Sequence, residues 1–240
     1  MEFAFTFRGD LDKKRVVAIC RQAEAAGFDY CWFFDSHVLW RDLYPQMAVA
    51  MEHTSRLRFG PCVTNPQTRE WSVAASLFGA LAVQSDGRFD IGVGRGDSAV
   101  RVVGKRPATV ARMEEFCAAM KGLVRGDSVT YDGRPEPVQF DWTGGYELPV
   151  WVAGYGPKAL AAAGRSGEGL IVQLAEPSLC QWMGEAAKAA GEEAERDMSG
   201  YRVMACAPVW VGDLDKGVAQ TRWFPALVGN HIADILKWYG

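Results

Sequence analysis

Short apolar runs alternate with segments of helical periodicity from one end of this chain to the other, and that alternation limits the fold more than any other feature. The strand-like runs cover residues 2–7, 30–34, 57–63, 89–93, 150–153, 169–174 and 202–210. Most are apolar throughout, the pattern of strands covered on both faces in a parallel sheet. Between them the spacing predicts helices over residues 11–26, 42–53, 71–85, 109–124, 157–164, 177–196 and 221–239. Gly27 and Gly126 stand as stop signals, Asp86-Gly87 marks a turn into the fourth strand, and Pro157 suits the first position of a helix. Pro225 predicts a break or kink in the last helix. About seven βα units predict a (β/α)8 barrel in a single domain spanning residues 1–240, with a doubly wound sheet as the rival. No eighth strand follows Tyr239, so the expectation is a barrel lacking its last strand and helix. Residues 127–147 depart from the rhythm: the Asp132-Gly133 turn between β-prone residues reads as an inserted hairpin or a loop crossing a barrel mouth.

The bulk numbers exclude several function classes. Apolar residues make up 49% of the 240, enough for a sizeable core. A net charge of -3 leaves no basic footprint for nucleic acid. No apolar run approaches a membrane span, and there is no signal-peptide pattern. The six cysteines are scattered without CxxC pairs, as in a cytoplasmic protein with reduced thiols. Three histidines and no HExxH predict no metal site.

In a barrel the chemistry lies at the C-terminal ends of the strands. After the second strand comes Asp35-Ser36-His37, where His37 reads either as a general acid or base or as a structural histidine beside a capping residue. After the third, Cys62-Val63-Thr64-Asn65-Pro66 offers hydrogen-bonding groups. Taken alone it reads as an ordinary turn capped by Asn65 or Thr68. After the fourth, Gly92, Gly94 and Gly96 alternate with Val93 and Arg95 and lead into Asp97-Ser98, bringing bare backbone close to something. Asp97 is either a cap or a catalytic carboxylate, with Arg95 and Arg101 at the rim. Residues 94–99 match the dinucleotide fingerprint G-x-G-x-x-G/A, as do residues 154–159. That fingerprint belongs on a first βα turn with a helix opening at once. Here it lies in the fourth unit, and residues 105–107 delay the helix until about Thr109, which argues against NAD. After the fifth strand, Gly154-Tyr155-Gly156-Pro157-Lys158 runs into a helix whose free N–H groups, with the lysine, suit a phosphate. The alternative is a tight turn with Pro at the first helical position. Gln173 and Glu176 follow the sixth strand, and a surface placement of Glu176 is equally open. Trp32, Trp40, Trp71, Tyr155 and Trp223 are candidates for an aromatic pocket.

As a set these loops resemble the luciferase-like superfamily of flavin- and deazaflavin-dependent oxidoreductases, in the branch similar to methylenetetrahydromethanopterin reductase. The matching residues are Asp35-Ser36-His37, Val63 through Pro66, Gly92 through Ser98, Val152 through Lys158 and Gly167 through Ile171. The resemblance implies a (β/α)8 barrel with insertions and a flavin or deazaflavin ring across its mouth. It implies a non-prolyl cis peptide at Cys62-Val63 beneath the ring, beside Val63, Thr64, Asn65, Gly94, Arg95 and Gly96. It places the cofactor phosphate at Gly154, Tyr155, Gly156, Pro157 and Lys158, with Gly169 and Gln173 nearby. His37 carries over as the proton relay and Asp97 as the acidic residue. Some deazaflavin members have Asp directly before the histidine, where this chain has Ser36. The implied activity is hydride transfer between coenzyme F420, or reduced FMN, and a small organic substrate. Alternatives are an FMN-dependent monooxygenase fed by a flavin reductase, a flavin-binding protein without turnover, and a non-redox barrel enzyme. Family members are frequently homodimers.

Overall fold

The computed structural model describes residues 1–239, and strand and helix alternate along them. The chain divides into two compact units, Met1–Trp151 and Val152–Gly240. The first holds β1 (Ala4–Phe7), α1 (Lys13–Ala25), β2 (Tyr30–Phe33), α2 (Tyr44–Glu52), β3 (Arg58–Pro61), α3 (Trp71–Gln84), β4 (Ile91–Val93), α4 (Asp97–Arg101) and α5 (Val110–Arg125). β5 (Val150–Ala153) carries the chain into the second, with α6 (Pro157–Ser166), β6 (Gly169–Val172), α7 (Pro177–Glu193), β7 (Arg202–Ala205), α8 (Leu214–Thr221) and α9 (Trp223–Tyr239).

In the first unit β1, β2 and β3 pair side by side and in parallel, with Phe5 opposite Cys31 and Cys31 opposite Phe59. β4 joins them through parallel bridges, Phe59 to Phe89 and Thr64 to Val93. All four residues of β2 are buried, which is why its sequence does not alternate. Trp32 stacks on Tyr30 at 5.4 Å and meets Trp151 edge-on at 6.1 Å. At the starts of β3 and β4 lies a charge that composition did not announce. Asp90 is fully buried and accepts from Arg58 Nε at 2.8 Å and from Trp151 Nε1 at 2.9 Å. A carboxylate taken out of water persists only with such partners.

The observed elements correct several expectations. β4 and β5 end where predicted, whereas β2, β3, β6 and β7 end short of the predicted runs, because the residues beyond them bend into loops. A short helix, α4, opens at Asp97 directly after Gly96, so only the longer α5 is delayed. Thr109 caps α5 by accepting from Arg112 N at 3.1 Å. The predicted last helix is α9, which runs from Trp223 through Pro225 without the expected break, and α8 before it, over residues 214–221, was not foreseen. Pro225 lies in the first turn of α9, where its missing N–H leaves no hydrogen bond unmade. The insertion forms a minimal hairpin: Val129 and Val138 exchange two hydrogen bonds of 2.8 Å, and Asp132 and Gly133 turn the chain at φ 62° and 66°.

In the second unit β5, β6 and β7 follow one another, and β6 pairs with β7 in parallel with Gly169 opposite Arg202. α6 and α7 approach so closely that a Cβ at Gly164 would overlap the Ala187 carbonyl oxygen. Arg196 donates to the carbonyls of Gly164 and Gly167 and closes the end of α6. The backbone approach at Gly164 leaves no room for a methyl group. Gly164→Ala is expected to destabilise the protein by about 1–3 kcal/mol in urea unfolding. Gly200→Ala, whose added Cβ meets nothing within 4 Å, is expected to stay within about 0.5 kcal/mol of the parent.

Candidate active site

The loop after β2 is anchored by its first residue. Asp35 is buried, and Arg69 donates to both of its oxygens, at 3.0 and 2.7 Å. Arg69 also reaches Asp42 at 2.9 Å and lies over the Tyr44 ring at 4.7 Å. The Tyr44 hydroxyl donates to Asp35 at 3.3 Å. Burial first, and the Asp35 charge second, push the Tyr44 phenol well above its ordinary range, so it stays a neutral donor. Burial alone would lower the Arg69 guanidinium. Its anionic neighbours outweigh that and raise it. Asp35 therefore anchors the loop after β2 to the turn after β3. Arg69, Tyr44 and Asp42 went unnoticed in the sequence because no motif spacing marks them.

The next residues tie three loops together. Ser36 Oγ lies 3.2 Å from Ser98 Oγ, joining the loop after β2 to α4. His37 and Asp97 are the immediate neighbours of these serines, and both are exposed. His37 sits in a turn closed by the Leu39 and Trp40 N–H groups on the Ser36 carbonyl, each at 2.9 Å. Asp97 is the first residue of α4 and forms an ion pair with Arg101 one turn on. Thr64 is laced to β4: its N–H donates to Gly92 O at 2.8 Å, and its carbonyl accepts from Gly94 N at 2.9 Å. The peptide bond between Cys62 and Val63 is cis, at the position the family resemblance implies, and Val63 remains half-buried.

Asn65 takes the turn role that its sequence context suggests. Its Oδ1 accepts from Gln67 N at 3.0 Å and Thr68 N at 3.1 Å, and its Nδ2 donates to Thr68 Oγ1 at 3.1 Å. Glu70, not Asn65 or Thr68, caps α3. Asn65 also packs against Gly96, where a Cβ would come within 2.8 Å of Asn65 Cγ. Gly96 has φ 86°, so both the close approach and the left-handed backbone exclude a side chain there. Gly94 is buried. Arg95 Nε donates to Ala108 O at 2.5 Å, and Ala108 N donates to Arg95 O at 2.9 Å, so this side chain braces the segment before α5.

In the second unit Gly156 precedes α6 and Pro157 opens it. A Cβ at Gly154 would collide with Ala159 at 2.8 Å, whereas at Gly156 it would meet nothing within 4 Å. The glycine at 154 thus serves helix packing, and the one at 156 faces open space. Lys158 is exposed. Tyr155 OH is 3.1 Å from Gln173 Oε1 and accepts from Gln173 N at 3.1 Å, which brings two candidates together. Gly169 opens β6, at the end opposite Gln173, so it does not stand at the strand end where the other candidates lie. Glu176 caps α7 by accepting from Leu179 N at 2.6 Å.

The aromatic candidates have separate duties. Trp32 is core, Trp40 lies beneath Arg8, and Trp71 packs on Tyr131 at 4.7 Å. Trp223 is exposed in the second unit. Among the described residues no cluster of His, Cys, Asp or Glu is placed to hold a metal ion. No described helix is long and apolar enough to cross a membrane. All six cysteines are thiols.

Breaking the Asp35–Arg69 pair has a predictable cost. Arg69→Ala leaves a buried carboxylate without its cation and is expected to cost about 3–5 kcal/mol in denaturant unfolding. Adding Asp35→Asn in an Arg69→Met background is expected to recover much of that loss, because an amide has no charge to strand.

Known proteins resemble this chain in both sequence and fold. Residues 3–228 match the family model described as luciferase-like monooxygenase. The chain is 30% identical over 238 residues to the 5,10-methylenetetrahydromethanopterin reductase of Methanolobus tindarius, covering 92% of this chain and 68% of that protein. It is 28% identical over 250 residues to the Archaeoglobus fulgidus protein of the same name, covering 100% of this chain and 74% of that protein. Among solved structures, the coenzyme F420 dependent tetrahydromethanopterin reductase from Methanopyrus kandleri is similar with a TM-score of 0.80 and 21% identity, over 95% of this chain and 72% of that one. That likeness establishes the fold as the α/β type of luciferase-like barrel enzymes. With the family model matched over most of its length, the chain belongs to the luciferase-like monooxygenase family, a family of enzymes.

Proposed function

We propose that this protein is an oxidoreductase that transfers a hydride between coenzyme F420 and a small organic substrate, with reduced FMN as the alternative cofactor. The observation that carries this reading is the 3.2 Å contact between Ser36 and Ser98. It draws together the two loops that hold His37 and Asp97, from strands that are not consecutive. Similarity to the F420-dependent hydroxymycolic acid dehydrogenase of Mycobacterium tuberculosis, 30% identical over 223 residues (86% of this chain, 61% of that protein), supports the deazaflavin over FMN.

The residues present fit such a cofactor. We place the ring against the half-buried Val63, with Thr64 and Asn65 held rigidly beside it; Gly94 and Gly96 are buried, and Gly96 lets its loop pack on Asn65. We assign the phosphate to Gly154, Tyr155, Gly156, Pro157 and Lys158, because Gly156 faces open space at the start of a ten-residue helix beside an exposed lysine. Gln173 supports that loop through Tyr155. The bound cofactor supplies the hydride chemistry, and the protein supplies orientation and a proton path. His37, exposed and without a hydrogen-bond partner among the described residues, is the group assigned to hold or release the proton at its ring nitrogen. Asp97, tied to Arg101, is assigned the acidic role beside it.

Titrating the protein with F420 and with FMN, followed by absorbance, tests the reading. Binding of neither removes it. His37→Ala is expected to lower kcat by about 10²–10⁴-fold while cofactor affinity stays near the parent value. A matching loss of cofactor affinity with unchanged kcat points instead to a binding role.

A further inference from the structure

A groove of about 490 Å³ opens in the first unit, lined by none of the residues assigned to the ring or the phosphate. Its charged lining is Arg69, Glu70, Lys105, Arg112, Asp132 and Arg134. The turn before α3, the segment before α5, α5 itself and the tip of the insertion each contribute. We propose that this groove binds a ligand carrying two or more carboxylate or phosphate groups.

The charge balance leads to that ligand class. Of the four cations, Arg69 is paired with Asp35 and Asp42 and Arg112 with Glu115 and Asp132, which leaves Lys105 and Arg134 to meet a ligand, and both lining carboxylates are already engaged. Glu70 accepts from the N–H groups of Ser72 and Val73 and from the Ser72 hydroxyl. Asp132 holds Arg112 at 3.1 Å. Arg112 is fixed further by Glu115 at 2.8 Å and by the face of Tyr131 at 4.0 Å, and Tyr131 is backed by Trp71. A guanidinium held flat in this way presents its remaining N–H groups without losing rotamer freedom on binding. The Tyr131 hydroxyl, pushed up to about 12 by burial, adds no negative charge at neutral pH. Lys105 and Arg134 are exposed and form no ion pair among the described residues. Arg134 acts on Glu70 only at a distance. Two uncommitted cations flanking a fixed arginine match an anion with several separated charges better than a single carboxylate.

Two sources share this chemistry: the anionic tail of a deazaflavin, and an anionic substrate separate from the cofactor. Pro66, next in sequence to Asn65, is part of the lining, so either source suits the groove's place in the chain. Anion binding in the groove does not require the redox reading to hold.

The test uses the full chain, with citrate and tri-glutamate as probes, titrated by calorimetry and by tryptophan fluorescence at low and physiological salt. Both probes are expected to bind, more weakly as salt rises. The double variant Lys105→Glu, Arg134→Glu is expected to lose roughly tenfold or more in affinity. Its thermal unfolding is expected to match the parent, because neither side chain supports the fold. If the double variant also loses F420 affinity but keeps FMN affinity, the occupant is the cofactor tail. If both cofactors bind unchanged while citrate binding is lost, the occupant is a separate anion. Either result supports the groove. Citrate binding without binding of either cofactor leaves the groove standing and removes the redox reading. No binding of citrate or tri-glutamate at millimolar concentration, or binding indifferent to the double variant, overturns the proposal.

Discussion

Asp35 has lost its water at the end of β2, and its charge is tolerable there because Arg69 reaches it with two hydrogen bonds and Tyr44 adds a third. Much of the candidate site depends on that arrangement. The pair holds the loop that carries Ser36 and His37 against the turn that begins at Asn65. That turn packs on Gly96, and Ser36 meets Ser98. Three loops of otherwise modest packing thereby share one anchored geometry. The same arginine also forms part of the wall of the cationic groove.

A second buried carboxylate makes an instructive contrast. Asp90, with Arg58 and Trp151, lies at the beginnings of β3 and β4, whereas Asp35 lies at the end of β2. In folds of this type the strand beginnings serve stability and the strand ends serve chemistry. The first unit therefore has one ionic anchor at each end of its strands. The one at the strand ends stands two residues from the exposed His37.

Much of the fold was legible because each signal was local. Continuous apolar runs announced strands covered on both faces, and Asp132-Gly133 announced the turn at the tip of the insertion. The turn capped by Asn65 was legible for the same reason, since its hydrogen bonds span only two and three residues. The early start of α4 was not legible. Its five residues are too few for a periodic pattern, and Lys105-Arg106-Pro107 drew attention to the later boundary. Arg69 was missed because its partners lie 34 and 27 residues away.

The amino-acid sequence by itself determined the order of the strands and the longer helices between them, the loops that carry the candidate residues and the family to which the chain belongs. Periodicity, turn chemistry and motif spacing are properties of neighbours along the chain. Only the tertiary structure decided that Asp35 is an anchor, that Arg95 is a brace for Ala108, and that Gly169 stands at the far end of its strand from Gln173. It alone brought Ser36 to Ser98 across 62 residues and gathered the cations of the groove from four segments. The physical reason is that a charge or hydroxyl takes its role from whatever stands within about 3 Å of it, and that distance is set by packing between elements far apart in sequence.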